Sequence, residues 1–297
     1  MNEISHIYHR NAVDPNGNDS LAKIARQIAP ATKVLDVGCA VGRLGQHLSE
    51  TRHCIVDGIE INPEAAALAR PHYRDVWELD VEDTQVLSRL GDRRYDIVVC
   101  ADILEHLRDP TDFLRGIKPL LTDHGRLLVS VPNIAHGGVI RELLSGDFRY
   151  RDEGLLDRTH LRFFTRQSFL RTLAEAGWRG QVVDHTVLDI QYTEFAQPSG
   201  HHEKIPQLLW QTLLPEIPDA AVYQFVVEAV PEEYALPATP RKGPDPSPPR
   251  PSVGVAVYWR DVHEDYSETR RATRPLPLGS GPHTLRLRLP GAPPSAA

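Results

Sequence analysis

The chain has 297 residues, 41% of them hydrophobic and 25% charged, with a formal net charge of -7 at pH 7. This composition supports one large buried core with something smaller beside it. The acidic balance and the lack of a dense Lys/Arg tract speak against nucleic acid as a partner, and no stretch reaches the roughly 18 apolar residues of a membrane span.

In chain order, SLAKIARQIA (20–29) spaces its apolar residues as a helix, KVLDVG (33–38) is a compact strand and RLGQHLSE (43–50) is helical again. CIVDGIEI (54–61) reads as a second strand, and Asn62 followed by Pro63 marks the start of the next helix, because a capping side chain followed by proline opens helices. VWELD (76–80) is a third strand, and YDIVVCAD (95–102) is the near-continuous apolar run of a strand covered on both faces. DPTDFLRGIKPLL then forms a helix and GRLLVSVP (125–132) a fifth strand. This alternation predicts an α/β fold, doubly wound, with a mainly parallel sheet.

After Pro132 the rhythm loosens. NIAHGGVIRELLSGDFRYRDEGLLDRTHLRFFT mixes a short helix with loops rich in Arg, His and aromatics, a long polar connection of the functional kind. SFLRTLAEAGW is an amphipathic helix ended by Gly177, and strands QVVDHTVL (181–188) and AVYQFVVEAV (221–230) follow, with a short helix around KIPQLLWQTLL between them. Beyond residue 230 lie 14 of the 25 prolines, a density that favours extended chain. The organisation expected is therefore a domain over 1–230, a Pro-rich linker over 231–252 and a partial β-module over 253–297, with VGVAVYWRD and HTLRLRLPG as its strands.

The N-terminal MNEISHIYHRNAVDP has neither the basic start nor the apolar run of a signal peptide, so a cytoplasmic protein without membrane insertion is expected. Cys39, Cys54 and Cys100 form no CxxC pair and read as buried reduced thiols, and no metal site is expected.

The first strand runs into VLDVGCAVGRLG (34–45). A dinucleotide-binding turn spaces its glycines G-x-G-x-x-G so that the pyrophosphate rests on a helix N-terminus. From Gly38 this chain reads G-C-A-V-G-R: Ala40 stands at the second glycine, Arg43 at the sixth position and Gly42 one residue early. That spacing disfavours a nicotinamide-dependent oxidoreductase. The pattern present, D-x-G-x-x-x-G from Asp36, resembles the first motif of the class I S-adenosylmethionine-dependent methyltransferases, with Ala40 in place of the middle glycine.

The resemblance implies a Rossmann-like seven-stranded sheet with an antiparallel last strand, and S-adenosyl-L-methionine as cofactor. Gly38 and Gly42, with Cys39 and Ala40 between them, would allow close approach of the ligand, and Asp36 would accept from its ammonium group. Glu60, followed by Ile61 and about 20 residues past the turn, would take the ribose hydroxyls. Asp80 and the Val81 backbone would meet the adenine, and Ala101 and Leu104, around CADILEHLRDP, would line the methionine and adenine ends. A lone acid at a strand end is more often a helix cap. A series of them at successive carboxyl ends lies on the edge where doubly wound folds bind ligands.

A hydroxyl acceptor calls for a general base, for which His is suited near neutral pH. His106 in ADILEHL, His136 in PNIAHGG and His160 in DRTHLRFFT are the candidates, each with a structural alternative: anchoring a helix start, or tying down the loop. GDFRYRDEGLLDRTHLRFFT further resembles bacterial methyltransferases of the type-23 group, many of them encoded with glycosyltransferases of surface polysaccharide synthesis. That resemblance implies a sugar or glycan acceptor with glycosyltransferase partners; a quinone, lipid or other small acceptor, or a non-catalytic binding module, are the alternatives. Arg149, Arg151, Arg158 and Arg162 suit a phosphate-bearing acceptor, or are surface arginines. His201 and His202 form a pair without a third ligand.

Overall fold

Short apolar runs bounded by turn residues become the strands of one sheet in the computed structural model, which describes residues 12–83, 86–196, 216–234, 252–258 and 271–277. The strands are β1 (Lys33–Val37), β2 (Ile55–Glu60), β3 (Asp75–Glu78), β4 (Tyr95–Ala101), β5 (Leu121–Pro132), β6 (Trp178–Val187) and β7 (Val222–Pro231). Their order is β3-β2-β1-β4-β5-β7-β6. Neighbours from β3 through to β5 pair in parallel, whereas β7 runs antiparallel to both β5 and β6, as the sequence led us to expect.

The helices are α1 (Ser20–Gln27), α2 (Arg43–Arg52), α3 (Pro63–Ala69), α4 (Pro110–Ile117), α5 (Gly137–Leu144) and α6 (Arg166–Glu175). Their starts follow the expected chemistry. Asn62 accepts from the Glu64 and Ala65 amides before Pro63, Asp109 caps α4, and Thr165 with Ser168 closes a capping box on α6. Helix α4 stops at Ile117, short of the apolar stretch that follows it. Pro119 explains this, because its ring and missing N–H cannot continue an α-helix. Strand β5 then begins at Leu121 rather than at Gly125, with a register shift opposite Tyr95 and Ile97. Strand β6 also begins early, at Trp178, whose buried indole N–H donates to the Leu114 carbonyl at 2.9 Å.

Two apolar cores form. One gathers Ile24, Leu44, Leu48 and Ala69 from α1, α2 and α3, with Ile28 just past α1, against Val34, Val56 and Val99. The other packs Phe113, Leu114, Phe169 and Leu173 from α4 and α6 against Leu35, Val37, Val98 and Val129. Alternate residues of the same strands serve the two cores, so the sheet is covered on both faces. A third, smaller cluster of Val139, Leu155, Leu156 and Phe195 fastens the 133–165 connection.

The chain divides into two compact units between residues 235 and 236. In the second, β8 (Ser252–Tyr258) pairs antiparallel with β9 (Arg271–Pro277). HTLRLRLPG, the helix around KIPQLLWQTLL, most of the Pro-rich linker and the His201–His202 pair lie outside the described residues. Among the described residues no helix is long and apolar enough to cross a membrane.

Candidate active site

The strand order reverses between β1 and β4, and doubly wound sheets hold ligands outside the carboxyl ends of strands at such a point. Here the turn after β1 is lashed to β2: the Gly38 and Cys39 amides both donate to the Ile59 carbonyl, at 2.8 and 3.0 Å. Glu60, 6% exposed, accepts the Ala40 amide on one carboxylate oxygen and the Asn62 amide on the other, each at 2.8 Å. A carboxylate offers about four lone-pair sites, so each Glu60 oxygen keeps one for a diol.

Asp36 lies 3% exposed under the turn and accepts the Tyr73 hydroxyl at 2.6 Å. Burial pushes its carboxyl up to about 7; the Tyr73 hydrogen bond opposes this and the nearby Glu60 adds to it. An ammonium group at this place would restore the charge that burial suppresses. Tyr73 itself escaped sequence reasoning. The signal for it was Gly45, inside α2, where glycine costs about 1 kcal/mol relative to alanine and so marks a close neighbour. A Cβ at Gly45 would stand 2.1 Å from Tyr73 Cζ, and the Gly45 amide donates to the Tyr73 hydroxyl at 3.0 Å.

Three sequence expectations for this pocket need correction. A Cβ on Gly42 would meet the backbone of Ala69 at 2.8 Å, so this glycine serves the packing of α2 on α3 rather than ligand approach. Cys39 is buried, and burial pushes its thiol far above the usual range; it packs in the core on the α1–α3 face. Leu104 is fully buried among Leu35, Val37 and Phe113, so it supports the site from beneath, while half-buried Ile103 covers Gly38.

The remaining expected positions lie at the carboxyl edge. Ala40 is half-buried in the left-handed region, with φ of 48°. Ile61 is 63% exposed beside Glu60, an apolar surface suited to a flat base. Asp80 is exposed two residues past β3 and accepts the Glu82 amide at 2.9 Å; Val81 and Ala101 are half-buried. Acids at Asp36, Glu60 and Asp80 would repel a pyrophosphate but suit a cationic amino-acid end and the hydroxyls of a neutral nucleoside, so these residues fit adenosylmethionine.

The three candidate histidines separate. His136 is fully buried and caps α5: its Nδ1 accepts the Gly138 amide at 3.2 Å, which leaves Nε2 to donate to the Leu188 carbonyl at 2.9 Å. Burial lowers its pKa, and both nitrogens are engaged, so it is a structural residue and not a base. His106 and His160 instead come together, with ring centroids 4.8 Å apart. The Glu105 carbonyl makes this possible by accepting the Leu161 and Arg162 amides, at 2.7 and 2.9 Å, which fixes the long connection against the exit of β4. His106 Nδ1 faces the Thr159 carbonyl at 3.3 Å, and His160 Nδ1 faces the Leu155 carbonyl at 3.2 Å. A carbonyl only accepts, so each neutral ring carries its proton on Nδ1 and keeps a lone pair on Nε2. Burial lowers the His160 pKa, with His106 adding to the effect, which favours the neutral ring.

Glu105, His106 and His160 each place a donor atom within 4.8 Å of the others. The four arginines each have partners within the protein. Arg151 pairs with Glu142 and lies 4.5 Å over the Phe195 ring, Arg158 pairs with Asp152 at 2.8 Å and Arg149 with Asp147 at 3.3 Å. Arg162 is spent on the carbonyls of Leu161 and Arg108.

The reversal point, the acid-lined turn and the antiparallel β7 define the class of S-adenosylmethionine-dependent methyltransferases with a Rossmann-like sheet. A family model described as a methyltransferase domain matches residues 5–183. The chain belongs to that family. Among curated proteins it is similar to a ubiquinone biosynthesis O-methyltransferase of Aeromonas salmonicida, 26% identical over 148 residues, 49% of this chain and 62% of the relative. Its counterpart in Pasteurella multocida is 31% identical over 127 residues, 38% of this chain and 52% of the relative, so the match spans between half and two thirds of these proteins. A solved methyltransferase structure from Archaeoglobus fulgidus shares the fold, with a TM-score of 0.50 at 16% identity over 70% of this chain and 91% of that one.

Proposed function

We propose that this methyltransferase acts on a hydroxyl oxygen, and that the acceptor is a ring-bearing molecule of the phenol or catechol kind. The observation that carries this reading is the convergence of His106 and His160 at the exit of β4, where His106 stands three residues on from the Ile103 that covers Gly38. When bound, adenosylmethionine supplies an electrophilic methyl on a sulfonium: the acceptor oxygen forms the new O–C bond, the S–C electron pair returns to sulfur and the hydroxyl proton leaves. The protein's part is to place the hydroxyl beside the histidine pair and to ease loss of its proton.

An aromatic wall continues from that pair. Phe163 lies 6.3 Å from His160, Phe148 lies 6.0 Å from Phe163, and Tyr150 lies 5.4 Å from Phe148. Phe148 and Tyr150 are 38% and 48% exposed, so part of this aromatic surface is accessible to a ring-bearing molecule. The names of the similar curated proteins support the quinone-type alternative, whereas the paired arginines remove the structural argument for a phosphate-bearing glycan. The test is methyl transfer from labelled adenosylmethionine to a substituted catechol and to a nucleotide sugar. Labelled catechol ether is expected; transfer to the sugar alone would overturn the reading.

A further inference from the structure

We propose that Glu105, His106 and His160 hold a divalent first-row transition-metal cation, and that this cation takes the acceptor's hydroxyl oxygen. The donor atoms lie within 4.8 Å of one another, so a modest contraction brings them around one ion. The orientation of the imidazoles points the same way. Metal-ligating histidines characteristically donate the other ring N–H to a carbonyl or carboxylate, which fixes the tautomer. Both rings do so here, to the carbonyls of Thr159 and Leu155. Behind His106 the arrangement continues, because the Thr159 hydroxyl donates to Asp157 at 2.6 Å.

The donors come from two segments more than 50 residues apart, and the backbone bonds from Leu161 and Arg162 to the Glu105 carbonyl hold them in register. Glu105 is 1% exposed and His160 8%, while His106 is half-buried, so the cluster is walled on one side and open on the other. Asp102, three residues before Glu105, does other work: it accepts from Ser130, Gln224 and Ser20 and binds β4 to its neighbours.

Two imidazoles and one carboxylate suit zinc, manganese, iron or cobalt better than magnesium, and such a set leaves positions open for an outside oxygen. A cation-bound hydroxyl is far more acidic than a free one, as metal-bound water shows by falling to about 7. The O–H bond then breaks with its electron pair left on the metal-bound oxygen and its proton passed to water. The use of the cation in catalysis rests on the methyl-transfer reading; its binding does not.

The test uses the full chain stripped of metal with a chelator, then titrated with cobalt(II) by visible absorption and with zinc(II) by calorimetry. One equivalent of each is expected to bind, and the Glu105→Gln and His160→Gln variants are each expected to weaken binding by about 100-fold or more. Adenosylhomocysteine binding, measured alongside, verifies that the variants are folded. No cobalt binding to the wild type, or unchanged binding in both folded variants, overturns the site. Full methyl transfer by the chelated protein overturns its catalytic use. Cation binding without methylation of any hydroxyl acceptor would instead overturn the function proposed above and leave the metal site standing.

Discussion

The Tyr73 hydroxyl donates to Asp36 at 2.6 Å while accepting the amide of Gly45, and so ties the acid beneath the first turn to the helix that follows it. Removing that hydroxyl in Tyr73→Phe leaves a buried carboxylate without one donor and a buried amide without its acceptor. A loss of about 1–3 kcal/mol is expected, read as a lower urea midpoint with an unchanged slope. Adenosylhomocysteine affinity should fall in the same variant, because ionised Asp36 is less well supported. Unchanged affinity would mean that Asp36 does not face the ligand.

Burial raises the Asp36 carboxyl from 3.8 to about 7. A raised carboxyl contributes stability that is fully present below its unfolded value and is lost as pH rises through the folded one. Binding an ammonium group favours the ionised form and runs the other way. Adenosylmethionine affinity should therefore climb by up to about tenfold per pH unit below about 7 and level off above it. Calorimetry across that range, with Asp36→Asn giving weak binding and no such slope, measures the effect; a flat wild-type profile would contradict it.

Ala40 takes the left-handed conformation, with φ of 48°, in the position where its amide reaches Glu60. Alanine there costs about 1–2 kcal/mol, and glycine would return part of the gain through its more flexible unfolded chain. Ala40→Gly should be stabilising by about 0.5 kcal/mol, whereas Ala40→Val should destabilise the protein and weaken cofactor binding. Thermal melts of the two variants, with and without adenosylhomocysteine, decide the matter.

His136 and His106 should respond oppositely to replacement by alanine. The buried cap is expected to cost about 1–3 kcal/mol of stability with little effect on the activity of the folded fraction. The half-buried His106 should leave the melt nearly unchanged and lower kcat by about 100-fold to 10,000-fold. If His136→Ala folded normally but lost turnover, the assignment of these two residues would be reversed.

The sequence by itself determined the layered fold and the cofactor edge, because both rest on local signals. Strand-length apolar runs, capping residues and the D-x-G-x-x-x-G spacing act within a few residues of one another, and Asp36, Glu60 and Asp80 fall at strand ends wherever a parallel sheet is wound. What only the tertiary structure decided are the contacts made across the chain. Leu104 and Ile103 are neighbours of similar chemistry, yet Leu104 is fully buried in the core while Ile103, at its edge, also covers Gly38. Tyr73 reaches Asp36 across 37 residues. His160 looked no different from His136 in sequence, yet one seals a helix start while the other is carried to His106 by two backbone hydrogen bonds to Glu105. Such pairings depend on how a long connection folds back on the sheet, and that is fixed by burial and hydrogen-bond satisfaction over the whole domain rather than by any short run of residues.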